Sequence, residues 1–453
     1  MRILLSLVCS CAVSACIQAW QRDCTAAMPC CDGCQCILGV CKPLDPGAGT
    51  CIAPGPPSPP PAPTPPPKPT PPPTPRVLPS GPIIAGYATR CISGPTGEGD
   101  ANVLQAARSG VNVVIWFASN LAGGRDGHPT VETGLDFDCI ARTALVLRHE
   151  RLQTAHMISI GGWDAPHPNT TWSGAAWWAA WAAWNEAVAA RPGLGFAGFD
   201  GIDWDLEGND RIDSPWNTFS VACMDLVGTM SQHAKAAGYL VSLVPPESYL
   251  DVTTAAYDLS LTHTYPDGWQ PAFTYHGHNA YALFLAQYGN STSATTGGTV
   301  PTFDFVDIQL YESWAHADYQ TTQHGVDPAD YLVEWATMVQ KGWVVDFAGA
   351  APHNTPTQLV RVPAQQLVVG FSRGMGNGKS VFFWPRDIGR AFERLEARGM
   401  RPRGVMFWNI EAEGGTVNGT LTTCALAPAF NEFMNVRNVS SGEGSCSSPV
   451  TSG

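Results

Sequence analysis

The sequence predicts an α/β fold, a parallel (β/α)8 TIM barrel preceded by a small cysteine-rich module and a proline-rich linker. Three features of the sequence lead to this prediction. Apolar strand-like runs alternate with helix-like stretches between residues 82 and 410. Seven cysteines lie between Cys24 and Cys51, and proline dominates residues 53–78. The expected order is therefore a signal segment, a cysteine module, a linker and one large domain.

The first segment, residues 1–19, is typical of a secretory signal peptide, because one arginine precedes an apolar run that small residues follow. An ordinary buried N-terminal helix is the alternative interpretation. The run is too short to span a bilayer comfortably, so no membrane anchor is expected. Four N-x-S/T sequons also suit a secreted, extracellular glycoprotein: Asn169, Asn290, Asn418 and Asn438.

The cysteine module, residues 24–52, is too small to bury enough apolar area to fold unaided, so we expect disulfides to hold it together. Its adjacent cysteine pair is similar to that of small chitin-binding modules. However, no aromatic residue lies between Cys24 and Cys51, which disfavours sugar binding by stacking. The spacing does not reveal how the cysteines pair.

The linker, residues 53–80, is a polyproline spacer that has no capacity to form a core. The large domain is expected over residues 81–438, with a flexible tail over residues 439–453. The net charge is −13, the isoelectric point is about 5.2, and no basic cluster occurs. This composition argues against nucleic acid or an anionic membrane surface as a partner, and we expect a monomer.

Eight strand-like runs define the predicted barrel. They cover residues 82–87, 111–118, 155–161, 198–206, 239–245, 303–311, 366–372 and 404–410. A doubly wound open sheet is the competing architecture, but the run GYATRCISG after the first strand is not a GxGxxG dinucleotide loop. Trp177, Trp181 and Trp184 follow a helical spacing, which predicts a helix face packed on the barrel rather than a ligand surface.

An acidic strand stands out in FDGIDWDLEG, residues 199–208. Side chains alternate across a strand, so Asp203, Asp205 and Glu207 share one face and the intervening apolar residues share the other. Carboxylates stacked inside a barrel repel each other, which predicts a raised pKa on at least one of them. A general acid needs that property. A solvated acidic loop and a calcium site are weaker alternatives, because the alternation is strict and the spacing is not that of a calcium loop.

Asp200 has the opposite parity and is expected to support Asp203 or the backbone. Gly201 beside it would permit a local bulge that re-aims Asp200.

The acidic strand resembles the D-G-x-D-x-D-x-E motif of family 18 glycoside hydrolases, the chitinase family. Three further stretches are similar to motifs of that family. Ser159-Ile160-Gly161-Gly162 matches S-x-G-G, Gln309-Leu310-Tyr311 matches the start of Q-x-Y-[N/D], and Trp408 occupies the place of a tryptophan under the bound sugar. The resemblance covers residues 82 to about 435.

The resemblance implies retaining hydrolysis of β-1,4-linked N-acetylglucosamine polymers by substrate-assisted catalysis that needs no cofactor or metal. The stretch between the seventh and eighth strands, residues 373–403, is short, and the shallower cleft that this predicts favours endo cutting. Glu207 would be the acid and then the base, and Asp205 would orient the substrate's acetamido group. Asp203 would tune Asp205, Tyr311 would donate to the acetamido oxygen, and Trp408 would form the floor of the subsite.

Further substrate contacts are expected at four positions: Tyr87, Trp163, Glu247 and Gln309. Glu312 departs from the family pattern, which has Asn or Asp after the tyrosine. Two alternatives stay open: an endo-β-N-acetylglucosaminidase acting on N-glycans, and a non-catalytic, lectin-like chitin-binding protein. In either case the expected partner is chitin or another N-acetylglucosamine-containing oligosaccharide.

Overall fold

The computed structural model describes residues 34–37, 40–43, 76–94, 97–124, 126–209, 211, 213–261, 278–293, 296–311, 315–348, 355–372, 381–412, 416–417, 420–421 and 425–437. The chain divides into two units, Met1–Pro73 and Thr74–Gly453. In the first unit, strands Cys34–Ile37 and Val40–Pro43 pair antiparallel, with Cys36 opposite Cys41. The expected signal peptide and tail, residues 53–75 of the expected linker, and Glu312 lie outside the described residues.

The second unit contains a closed ring of eight parallel strands, which confirms the predicted barrel. The strands are β1 Ile83–Ala88, β2 Val113–Gly123, β3 Ala155–Gly162, β4 Gly201–Leu206, β5 Leu240–Leu243, β6 Phe305–Gln309, β7 Leu367–Ser372 and β8 Gly404–Trp408. Each strand pairs with its sequence neighbour, and β1 pairs with β8 as well as β2, so the sheet has no open edge.

Further short strands outside the eight-stranded ring pair antiparallel. Pro129–Thr133 folds back along the end of β2. Three two-stranded pairs lie in the connections: Asn290–Thr292 with Thr299–Pro301, Trp343–Val345 with Gln358–Val360, and Thr416–Val417 with Thr420–Leu421.

Helices surround the ring. They are α1 Ala101–Arg108, α2 Phe137–His149, α3 Gly174–Trp184, α4 Val221–Ala236, α5 Ala282–Gln287, α6 Pro328–Lys341, α7 Pro385–Glu396 and α8 Leu426–Met434. Shorter helical turns are Asn185–Ala189, Pro192–Leu194, Pro215–Asn217, Glu247–Leu250, His316–Asp318, Tyr319–Gln323 and Ile410–Ala412. Polar caps start several helices: the Asp100, Asp136 and Asp327 carboxylates each accept two N–H groups of the first turn. Among the described residues, no helix has the length and apolar content required to cross a membrane.

Two apolar layers hold the barrel. The layer between strands and helices includes Trp204, Trp177 and Trp181, each with no solvent exposure, so the predicted packing of the α3 tryptophan face on the barrel is confirmed. The inner layer is formed by inward residues such as Ile115 and Met406. Because β4 gives its apolar side chains to the outer layer, its acidic side chains occupy the inner one.

Strand β4 is regular along its length. Gly201 pairs with Met157 of β3 and Leu240 of β5 without any register shift, so the bulge expected at Gly201 is wrong. A Cβ atom at this position would lie 2.2 Å from the Leu240 carbonyl oxygen. Glycine is required here for the close approach of two strands rather than for a bulge.

Candidate active site

Three carboxyl groups form a column on the inner face of β4. Asp203 has no solvent exposure, while Asp205 and Glu207 are 5% and 6% exposed. In the register of the sheet, Asp203 lies between Ser159 of β3 and Ser242 of β5. The structure therefore brings the three acids together from the barrel interior to the carboxyl end of the strand, where TIM barrels carry their chemistry.

Asp203 is held by two hydroxyl groups. The Tyr87 hydroxyl donates to Asp203 Oδ2 at 2.6 Å, and the Ser242 hydroxyl donates to Asp203 Oδ1. Burial raises the pKa of Asp203 to about 6, against the opposing effect of donors on Ser242, Tyr87 and Ser159. Asp203 therefore changes charge near pH 6, where an ordinary aspartate is already ionised.

The upper two acids are linked by one amide. Gln309 Nε2 donates to Asp205 Oδ1 at 3.0 Å and contacts Glu207 Oε1 at 3.3 Å. The same nitrogen donates to the Val244 carbonyl at 2.7 Å, which fixes the orientation of the amide. This bridge keeps the Asp205 and Glu207 carboxyl groups together at the mouth of the barrel.

Glu207 has the properties of a proton donor. Burial raises the pKa of Glu207, while hydrogen bonds with Asp205 and Gln309 act in the opposite direction. A hydrogen bond between two carboxyl groups requires a proton on one of them. Burial thus favours the protonated form of Glu207 beside the Asp205 carboxyl group, which is the arrangement that general acid catalysis uses.

The backbone around Glu207 is held by two residues that the sequence analysis missed. The Tyr281 hydroxyl accepts the Leu206 N–H at 2.6 Å and donates to the Leu206 carbonyl at 3.1 Å. His167 Nε2 lies 3.0 Å from the Glu207 carbonyl oxygen, and burial lowers the pKa of His167 to about 4. His167 is thus neutral near pH 7 and donates through Nε2. No motif marks these residues, since both lie far from β4 in the sequence.

Gly161 and Gly162 close β3 in a left-handed conformation, with φ of +102° and +116°. A Cβ on Gly161 would lie 2.4 Å from the Asp205 carbonyl oxygen. A Cβ on Gly162 would lie 2.4 Å from the Phe117 ring. Both glycines therefore permit close approach around the site, which only glycine allows.

Aromatic rings surround the column at the barrel mouth. The Trp408 ring lies 5.5 Å from the Tyr87 ring and 4.9 Å from the Phe117 ring, centroid to centroid. Trp408 and Tyr311 are half-buried and pack against the inner core. Trp163 follows β3 and is 53% exposed. These half-exposed rings are accessible to a ligand above the carboxyl column.

Two predicted residues do not join the column. Asp200 precedes β4, at the opposite end of the strand from Glu207, and its carboxylate accepts the His156 N–H at 2.8 Å. It thus supports the backbone rather than Asp203.

Glu247 is 2% exposed, and its oxygens accept the Tyr331 hydroxyl and, at 2.9 Å, the Ala317 N–H. Burial raises the pKa of Glu247 to about 7. The structure corrects the expected sugar contact, because Glu247 instead fastens the segment that follows β6. It is not a solvated loop carboxylate either.

One inward acid was overlooked. Asp307 of β6 has no solvent exposure and shares its strand face with Gln309, two residues on. The alternation in FVDIQ was the signal that could have identified it. Within the described residues, the one cluster with ligand spacing for a metal is Cys91, Asp100 and Cys139, but its two cysteines form a disulfide.

No protein-family model and no curated protein matches the chain. Among solved structures, a family GH18 chitinase from Chromobacterium violaceum is similar at 17% identity and a TM-score of 0.46, covering 78% of this chain and 83% of that one. A fungal endo-β-N-acetylglucosaminidase from glycosyl hydrolase family 18 is similar at 13% identity and a TM-score of 0.41, covering 78% and 96%. A xylanase–α-amylase inhibitor protein in complex with trehalose is similar at 15% identity and a TM-score of 0.39, covering 73% and 94%. Identities and TM-scores this low do not establish a function for the chain.

Proposed function

We propose that the chain is a chitinase-like hydrolase of glycoside hydrolase family 18, a retaining endo-hydrolase of β-1,4-linked N-acetylglucosamine polymers. One observation supports this proposal above all. The buried Asp205–Glu207 pair is bridged by Gln309 at the carboxyl end of β4, and Asp203 below it is held by Tyr87. The arrangement provides a proton donor, an adjacent acceptor and a buried group that adjusts their charge.

In the proposed reaction, Glu207 protonates the glycosidic oxygen as the bond to the anomeric carbon breaks. The carbonyl oxygen of the substrate's own acetamido group attacks that carbon and forms an oxazolinium ion. Water then attacks the anomeric carbon, the bond from that carbon to the acetamido oxygen breaks, and the Glu207 carboxylate takes the proton that the water loses, which restores the acid. Because the nucleophile is part of the substrate, correct positioning provides an intramolecular advantage, worth up to about 7–11 kcal/mol in ideal cases.

Asp205 accepts the acetamido N–H in this scheme, and its negative charge stabilises the oxazolinium ion. Asp203 tunes Asp205 through its own charge. Ionised Asp203 keeps a proton in the Asp205–Glu207 pair, because close carboxyl groups resist ionising together, so turnover requires Asp203 in its ionised form. Tyr311 donates to the acetamido oxygen, and Trp408 and Trp163 stack against sugar rings. The position of these half-exposed aromatic residues at the barrel mouth supports the assignment.

The test compares the release of reducing ends from chitin oligomers and from a high-mannose glycopeptide. Glu207→Gln keeps the shape of the side chain and removes its proton, so we expect turnover to fall by roughly 10²–10⁴-fold while oligosaccharide binding remains. Glu247→Gln makes the same change at a buried glutamate outside the column and is expected to retain turnover at pH 6. Loss of binding together with activity in Glu207→Gln would contradict the assigned role.

The two substrates separate the alternatives. Cleavage of the glycopeptide alone would identify an endo-β-N-acetylglucosaminidase, and binding without cleavage of either substrate would identify a lectin-like protein. Cleavage of the oligomers at internal bonds, followed by chromatography of the products, is the result expected for the proposed chitinase.

We also propose that the protein is secreted. The Cys91–Cys139 disulfide, which joins the segment after β1 to α2, supports an oxidising compartment. N-terminal sequencing of protein recovered from the medium of a secreting host tests this. An intact Met1 on the recovered protein would argue against removal of residues 1–19.

A further inference from the structure

Trp163 is an exposed aromatic residue whose placement depends on its backbone. It is 53% exposed, and its side chain makes no hydrogen bond or ring contact within the described residues. Trp163 is the second residue of a four-residue turn, which the Ala165 N–H closes on the Gly162 carbonyl at 3.1 Å. The third residue, Asp164, is left-handed with φ of +60°. Aspartate tolerates this region at a cost in free energy, so its presence here indicates that other contacts hold the turn in place.

Asp164 fastens this turn to the segment that directly follows Glu207. The Asp164 N–H donates to the Gly208 carbonyl at 3.0 Å. Asp164 Oδ1 accepts Asn209 Nδ2 at 2.6 Å and the Arg211 guanidinium at 3.1 Å. The turn after β3 and the segment after β4 are therefore joined through one aspartate, by its backbone and by its carboxylate.

Asn209 is the fixed side of the carboxylate contact. It is 1% exposed, its N–H donates to Asn217 Oδ1 at 2.7 Å, and its carbonyl accepts Asn217 Nδ2 at 2.9 Å. Asn209 Nδ2 also donates to Ser214 Oγ at 2.8 Å. A donor that is already held in place loses little freedom when it binds the Asp164 carboxylate, and a hydrogen bond to a charged group is among the stronger ones. The Arg211 side chain, in contrast, is 68% exposed, and an exposed ion pair contributes little.

We propose that Asp164 and Asn209 are positioning residues for the hydrolysis: their hydrogen bond holds Trp163 at a fixed place relative to Glu207, so that a sugar ring stacked on the indole aligns the polymer with the acid. This inference rests on the proposed function. The sugar rings of a β-1,4-linked chain repeat at a regular spacing, so an aromatic ring at a fixed distance from the acid determines which glycosidic oxygen meets it. A ring on an unfastened turn would have to be ordered when the substrate binds, which weakens binding.

Three substitutions separate the proposed hydrogen bond from the other contacts of the turn. Asp164→Ala removes the acceptor, and we expect KM for a soluble chitin oligomer to rise about three- to tenfold with kcat unchanged. Asp164→Asn retains an acceptor oxygen and also tolerates a left-handed backbone, so KM should stay near the wild-type value. Arg211→Ala removes only the exposed partner of the carboxylate and should leave KM within about twofold of the wild type.

The rise in KM should depend on the Trp163 ring. In a Trp163→Ala background, Asp164→Ala should raise KM no further, because the ring that it positions is already absent. A merely structural role of Asp164 would impair both backgrounds alike. An unchanged KM in a folded Asp164→Ala protein overturns the proposal, and so does an equal rise in KM with and without the Trp163 ring.

Fluorine NMR of protein labelled with 5-fluorotryptophan tests the positioning without substrate. The signal of Trp163 is identified by its loss from Trp163→Phe. It should keep its wild-type position in Asp164→Asn and move towards that of free 5-fluorotryptophan in Asp164→Ala. An unmoved signal in Asp164→Ala overturns the inference, because the ring would then need no such hydrogen bond. Since this measurement needs no hydrolysis, a protein that cleaves no chitin oligomer would refute the proposed function while the Trp163 signal still decides the inference.

Discussion

Removing the Tyr87 hydroxyl should shift the pH profile of turnover without removing the aromatic ring. The Tyr87 hydroxyl donates to buried Asp203 Oδ2 at 2.6 Å, and the pKa of Asp203 is about 6. A buried hydrogen bond to a charged group contributes about 1.5–3 kcal/mol, and one pKa unit corresponds to about 1.4 kcal/mol. Tyr87→Phe should thus raise the Asp203 pKa by about one to two units, because it removes a hydrogen bond that stabilises the ionised form of Asp203.

The assay is kcat/KM for a soluble chitin oligomer between pH 4 and pH 9. The acid limb should move from about pH 6 to about pH 7–8, while activity well above that limb approaches the wild-type value. The phenyl ring of the variant retains its packing against Phe117 and Trp408.

Tyr257→Phe is the matched control. It removes a buried hydroxyl that has no hydrogen-bond partner in the described part of the chain. The Tyr257→Phe variant should therefore keep the acid limb of the kcat/KM profile at the wild-type pH. A folded Tyr87→Phe protein with the wild-type limb would refute the link between Asp203 and turnover.

Three further changes test the fold around the site. Gly162→Ala should lower the free energy of unfolding in urea by more than about 1 kcal/mol and should lower activity, because φ at this position is +116°. Gly193 has open space around it, so the free energy of unfolding of the control Gly193→Ala should stay within about 0.5 kcal/mol of the wild-type value. Replacing Cys91 and Cys139 together by serine removes a bond between residues 48 positions apart and should lower the free energy of unfolding by about 4 kcal/mol. Reductant should lower the stability of the wild type in the same way, and a wild type that reductant leaves unchanged would contradict this prediction. Glu247 has a folded pKa of about 7 against an ordinary 4.5, so wild-type stability should fall by about 3 kcal/mol as pH rises between these values. Glu247→Gln should lack this fall, and parallel curves of stability against pH would contradict the assigned pKa.

The sequence predicted the ring of strands well because both sheet faces are buried and the runs are apolar and regularly spaced. The alternation in β4 also predicted which acids point inward, since side-chain direction in a strand is a local property. The end of β2 was less predictable. That strand continues to Gly123 and pairs with Pro129–Thr133, beyond the apolar run that ends near residue 118.

Contacts made by distant segments could not be predicted. Tyr281 reaches the backbone of Leu206 from a separation of 75 residues, and no spacing rule connects the two. Glu247 was expected to contact the sugar because it follows β5, but its carboxylate accepts hydrogen bonds from the Tyr331 hydroxyl and the Ala317 N–H instead. Asp307 was missed for another reason, since it stands alone between apolar residues and belongs to no recognised motif.

The single amide of Gln309 has a consequence for motion within the site. Its nitrogen carries two hydrogens but contacts three oxygens, on Asp205, Glu207 and Val244. One acceptor is always surplus, so either acid can swing towards an arriving sugar while the amide keeps both hydrogens occupied. The rearrangement leaves no orphaned donor behind, which makes the closed pair easy to open.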